Sequence, residues 1–170
     1  MNASKMLLPF LACFSVALAA AASPAPPKGS PEQIKTITDM RAVGNAMYQW
    51  YKSEVAPRRS EKTHKEAVAH STQPQNTQDI PVISRADLAK ILVPKYIAAI
   101  PEKDGWGRPY ELHLNASNPN AVTVFGLRSG GADGKFSTDV YEIGSFPQGD
   151  AGQDVVWIDG YFVRWPEAKP

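Results

Sequence analysis

Residues 153–165 read QDVVWIDGYFVRW, and the fold turns on how this stretch is read. Val155 to Ile158 and Tyr161 to Trp165 are two runs rich in β-branched and aromatic residues, the side chains that suit a pleated, half-buried surface. Asp159-Gly160 lies between them. A two-residue type I′ turn needs positive φ at both central positions, and Asp-Gly is among the few dipeptides that accept this. The turn predicts a register that sets Trp157 against Phe162 and Ile158 against Tyr161, cross-strand pairs that stabilise a small sheet.

Working upstream, Tyr110 to Leu114 alternates, with Glu111 and His113 expected on the outward face. Asn115 to Asn120 has turn composition, and Ala121 to Leu127 is the expected return strand. Two hairpins thus form a small antiparallel sheet. Before them, Ser30 is placed to cap a helix, Pro31 suits its first position, and Glu32 puts negative charge in its first turn. Ile34, Ile37, Val43, Met47, Trp50 and Tyr51 recur at helical spacing, so an apolar stripe runs nearly to Pro57, with Met40 and Tyr48 near its edges. A second, short helix is expected over 84–93, with Ser84 as cap, Asp87 three residues on, and Pro94 limiting it. Residues 58–78 are polar and read as a solvated loop holding at most a turn or two of helix. His64 and His70, six apart, do not share a helix face as a four-apart pair would, so no metal site is expected there. The fold class is α+β: a long N-terminal helix packed on a small antiparallel sheet. Trp106, Tyr110, Trp157, Phe162 and Trp165 are its expected aromatic framework.

The chain has 170 residues, 43% of them hydrophobic, and a net charge of +1. One domain fits this length, and a near-neutral balance offers no electrostatic ground for binding nucleic acid. Residues 1–22 read as a signal peptide: Lys5 in a short leading region, an apolar run, and Ala20-Ala21-Ala22 as a small-residue cleavage pattern. Cys13, the sole cysteine, lies inside that run, so the mature chain is expected to have neither disulfides nor thiolate chemistry. Residues 23–29 are a Pro-rich linker and 30–170 the globular domain. The expected location is periplasmic or secreted, with no membrane span after cleavage. There is no Walker loop, dinucleotide fingerprint, zinc-protease helix or nucleophile elbow, and the acids Asp139, Glu142, Asp150 and Asp154 carry no spacing that marks a hydrolytic pair. The chain is expected not to be an enzyme.

One set of ordered motifs calls up a family. After Tyr96-Ile97 and Ile100-Pro101 comes Asp104-Gly105-Trp106-Gly107-Arg108-Pro109-Tyr110. Then follow Ser129-Gly130-Gly131-Ala132-Asp133-Gly134 and Asp154-Val155 before a Trp. This order resembles the globular domain of the major pseudopilin of type II secretion systems, with Gly105 where the family has proline. The family's N-terminal processing site and long hydrophobic helix are missing from the pattern, and the insert over 135–153 is longer than expected. The resemblance implies a pseudopilin-like head domain whose loop binds calcium. Carried onto this chain it names Asp133 and Asp154 as ligands, with Asp150 and Asp139 as unaligned candidates. Calcium takes about six to eight oxygens, which carboxylates and loop carbonyls supply together. It also implies protein partners, in or near a secretion or pilus-like apparatus; the alternative is a stand-alone exported binding module that reuses the fold.

Overall fold

Helix α1 (Pro31–Trp50) opens with a full capping box. The Ser30 hydroxyl accepts from the Gln33 N–H, and the Gln33 side chain accepts from the Ser30 N–H. These bonds satisfy donors that a helix start otherwise leaves unpaired. Ser30→Ala is therefore expected to cost about 1 kcal/mol, measured as a lower urea midpoint with unchanged slope. The structure, a computed structural model, describes residues 29–118 and 120–167. The stretches read as a signal peptide, with Cys13, and as a linker up to residue 28 lie outside the described residues.

The predicted stripe is real and wider than read. Ile37, Met40, Val43, Met47 and Trp50 are buried, and Met40 sits at its centre rather than its edge. Tyr48 is exposed at 39%. Burying a side chain of this size contributes about 1.5–3 kcal/mol. Gln33 and Thr36 continue the stripe as buried polar residues, a pattern explained by the loops they hold. The helical path continues as a π turn (Tyr51–Val55) and a 3-10 turn (Ala56–Arg58), so the run to Pro57 stands although its hydrogen bonding changes.

The polar stretch differs from the expected loop. Glu61–His70 forms helix α2, capped by Ser60 and carrying the exposed pairs Glu61–Lys65 at 2.8 Å and Lys62–Glu66 at 3.8 Å. Only Thr63 on it is buried. Cap, helix-favouring residues and four-apart ion pairs sustain it without a broad apolar stripe. Helix α3 (Arg85–Leu92) follows as predicted, with the Ser84 hydroxyl accepting from the Asp87 N–H.

Among the described residues there are seven strands, in chain order β1 (Gln75–Asn76, before α3), β2 (Glu111–Leu114), β3 (Phe125–Ser129), β4 (Val140–Tyr141), β5 (Gly144–Phe146), β6 (Val155–Ile158) and β7 (Tyr161–Pro166). The main sheet has the order β2-β3-β6-β7-β5, and β1 pairs with β4 in a separate ladder. The final hairpin has the predicted register, Trp157 opposite Phe162 and Ile158 opposite Tyr161, with φ of 45° at Asp159 and 108° at Gly160. Farther from the turn a bulge shifts the pairing, so that Val156 meets Arg164. The sheet is not wholly antiparallel, since β5 runs parallel to β7. The return strand also begins later than predicted, at Phe125, because the Val124 and Phe125 N–H groups donate to the Asp159 carboxylate.

One face of the sheet packs on α1, so closely that a Cβ on Gly44 would strike the Trp157 indole. Of the aromatic framework, Trp157 is in the core, Tyr110, Phe162 and Trp165 pack half-buried against it, and Trp106 lies outside it. The other face, expected to meet solvent, holds a second core of Ile80, Tyr141, Val156, Ile158 and Val163. His113 lies on that face, 2% exposed, with Nδ1 2.8 Å from the Ile80 carbonyl and Nε2 2.9 Å from Glu111. The outward placement of His113 is thus corrected: residues 80–83 pair along the edge of β2, bonding Ile83 N to Leu112 O and Leu114 N to Pro81 O, and bring the Ile80 carbonyl onto the ring. Every residue of β3 and β6 is buried, as expected for strands covered on both faces.

Candidate functional site at the glycine-rich loops

The two strings that carried the resemblance are in contact. Asp104 is 2% exposed; its Oδ1 accepts from the Trp106 and Arg108 N–H groups, and its Oδ2 accepts from the Ser129 hydroxyl at 2.6 Å. A buried carboxylate is tolerated where several donors replace its water. The Arg108 side chain lies against Gly134, closely enough that a Cβ there would clash with its guanidinium. Gly105 seats the first loop on α1: its N–H donates to Thr36 Oγ1 at 2.9 Å, and its Cα abuts the Glu32 backbone.

The second string crosses the loop before β6. Ala132 N donates to Ala151 O, and Gly131 approaches the carbonyls of Ala151 and Gln153 too closely to admit a Cβ. Asp154 lies below this crossing, 2% exposed. Its Oδ2 accepts from Ser137 N, Ser137 Oγ and Tyr141 Oη at 3.0, 2.8 and 3.0 Å, while its Oδ1 is buried with no hydrogen-bond partner. Asp133 is exposed at the rim and accepts from the Lys135 N–H. Asp150, also exposed, starts the loop on the other side, its N–H and carbonyl bonded to Pro147 and Gln153. Asp139 is engaged elsewhere, accepting from Arg128 at 2.8 Å and Gln78 at 2.6 Å, and these bonds hold its carboxyl below the usual range. Among the described residues, no three His, Cys, Asp or Glu side chains converge as a ready-made metal cluster. A calcium ion here would draw on Asp154, Asp133 and loop carbonyls. The unpartnered Asp154 Oδ1 and the crowded carbonyls fit that donor set.

Arg128 stands beneath the same loops and was not singled out from the sequence. It is 6% exposed, contacts Glu111 at 2.7 Å, and donates to Asp139, Thr138 O and Tyr141 Oη. The Phe136 ring covers its guanidinium at 3.9 Å. Burial would lower the Arg128 pKa, but its bonds to Tyr141, Asp139 and Glu111 carry it above the ordinary value. Burial and the Asp154 charge together push the Tyr141 phenol well up, so it remains a donor to Asp154. An unbroken chain of polar contacts therefore runs from His113 through Glu111, Arg128 and Tyr141 to Asp154. The sequence signal for it was slight: one arginine just after the mostly apolar run from Val122 to Leu127.

Neither a model of a protein family, nor a curated protein, nor a solved structure matches the chain.

Proposed function

We propose that this chain is a non-enzymatic exported protein with a pseudopilin-like head. In this reading it acts through protein–protein contact in or beside a type II secretion or pilus-like apparatus, and calcium ties down its long loop. The observation that carries the reading is Asp154: a buried carboxylate with one unpartnered oxygen, next to the crossing of the 129–134 string and the loop before β6. Calcium supplies a central positive charge that holds carboxylates and carbonyls of both loops together. No helix of the described residues is long and apolar enough to cross a membrane, which accords with a head domain acting outside the bilayer.

Thermal unfolding of the purified protein in millimolar calcium and then in chelator tests the metal. Saturation at about 100 times the dissociation constant contributes about 2.7 kcal/mol, which raises the midpoint by several degrees in a domain of this size. Asp133→Ala, at an exposed position, is expected to abolish that rise while leaving the chelated midpoint nearly unchanged. Equal midpoints with and without calcium would sink the calcium site. The apparatus is tested by gene neighbourhood: a gene that lies apart from those of a secretion ATPase and secretin counts against it. It would favour the second reading, a stand-alone binding module, which has its own support in a cleft on the opposite end of the sheet.

A further inference from the structure

A cleft of about 260 Å³ lies between α2, the end of α1 and the β6–β7 turn. It exceeds the roughly 150 Å³ that suffices for benzene in an engineered protein cavity. Four aromatic rings line it: Tyr48, Tyr51, Phe125 and Tyr161. Tyr48 stacks on Tyr51 with centroids 6.2 Å apart, and Tyr51 meets Phe125 at 6.1 Å, so the wall offers ring faces and edges to a further ring.

The polar residues of the cleft include Arg59, His64, His70, Gln75 and Asp159. Arg59 spans its wall, with its guanidinium 5.5 Å from the Tyr51 ring centre. Nη1 donates to Tyr51 Oη at 2.6 Å and Nη2 to Ala121 O at 2.8 Å, while Nε is buried without a partner. Arg59 makes no ion pair among the described residues. Asp159, at the floor, commits its carboxylate to the Val124 and Phe125 N–H groups. His64 and His70 both line the cleft. Their six-residue separation puts them on different helix faces, yet the cleft underlies both the side and the end of α2.

From this arrangement we infer that the cleft binds a small aromatic carboxylate, its ring among the tyrosines and its carboxylate on Arg59. Asp159 is near enough for its carboxyl to feel the Arg59 charge, but a neutral aromatic would leave the guanidinium without an ion pair at contact distance, and an aliphatic acid would leave the rings uncovered; an aromatic acid satisfies both. The site is independent of the calcium loop, so either can fail alone.

The test is a titration of the purified protein with benzoate, benzyl alcohol and acetate, followed by nuclear magnetic resonance at the tyrosine rings and the Ala67 methyl. Benzoate is expected to bind at least about tenfold more tightly than either control, the margin of one charge-assisted bond. Arg59→Gln should bring benzoate down to the benzyl alcohol level. Because Arg59 also holds Ala121 O, Ala67→Leu provides a second variant: it fills the cleft from α2 with a helix-favouring residue and should weaken benzoate about tenfold or more at an unchanged melting temperature. Benzyl alcohol or acetate binding as well as benzoate would overturn the inference. So would undiminished benzoate binding by Ala67→Leu, or no perturbation of the cleft at about 20 mM benzoate.

Discussion

Gly105→Pro is expected to lower the melting temperature by about 10 °C or more, the largest loss from any single substitution considered for this chain. The substitution introduces the proline of the pseudopilin string that residues 104–110 resemble, so a purely sequence-based view would expect it to be harmless. The structure gives two reasons against that. The Gly105 Cα abuts the Glu32 backbone, and any Cβ would overlap that carbonyl group rather than a yielding side-chain end. Proline would also remove the N–H that donates to the buried Thr36 hydroxyl at 2.9 Å. Overpacking against backbone costs about 1–3 kcal/mol, and the lost bond in a buried place adds about 1–3 kcal/mol. Gly105→Ala, which retains the N–H, should fall between wild type and Gly105→Pro. Gly149→Ala is the control, because a Cβ at Gly149 meets nothing within 4 Å. If Gly105→Pro melted within a degree or two of Gly149→Ala, the first loop would not be seated on α1 as described.

The second large effect concerns pH. Burial raises the Asp159 carboxyl from 3.8 to about 6, despite the hydrogen bonds from the Phe125 and Val124 N–H groups and the nearby Arg59 charge, which act the other way. The residue belongs to a half-buried turn, and its carboxyl is directed inward to those two N–H groups. Because its pKa in the folded state lies above the unfolded one, the native protein holds more protons in the window from about pH 4 to pH 6. Stability from this group therefore falls as pH rises through that window, by a quantity on the order of 2–3 kcal/mol, and the deficit persists at higher pH. Asn at this position tolerates the φ of 45° and retains an acceptor for the two N–H groups. Asp159→Asn is thus expected to lack this pH dependence and to be the more stable protein at pH 8. Urea unfolding of both proteins from pH 4 to pH 8 measures it, since their difference cancels every other titration. A difference that stays flat, or moves in favour of the wild type as pH rises, would refute the assignment.

Asp159 also shows where the sequence was legible and where it was not. The dipeptide announced the turn and the register of the hairpin, because turn geometry depends on the φ preferences of two adjacent residues. It said nothing of the carboxylate, whose partners Val124 and Phe125 lie more than thirty residues earlier in the chain. His113 illustrates the same division. Alternation assigned it correctly to the face opposite Leu112, but the Ile80 carbonyl that holds its ring comes from 33 residues earlier in the chain. For the loops, the strings named Asp133 and Asp154 as neighbours of interest, and the structure sets their loops against each other. That Asp154 is buried while Asp133 is at the rim, and that Arg128 and Tyr141 stand beneath, follows from contacts no spacing encodes.

By itself, then, the sequence determined the local elements: the caps at Ser30 and Ser84, the α1 stripe, the Asp159-Gly160 turn and the α+β class. Each rests on interactions among residues a few positions apart, whose energies act before the chain is compact. Only the tertiary structure decided the second core, the parallel placement of β5, the seat of Gly105 on α1, the polar chain from His113 to Asp154, and the cleft below α2. Each requires segments distant in sequence to exclude water together, and it is that shared desolvation which makes a buried carboxylate or guanidinium depend on one particular set of partners.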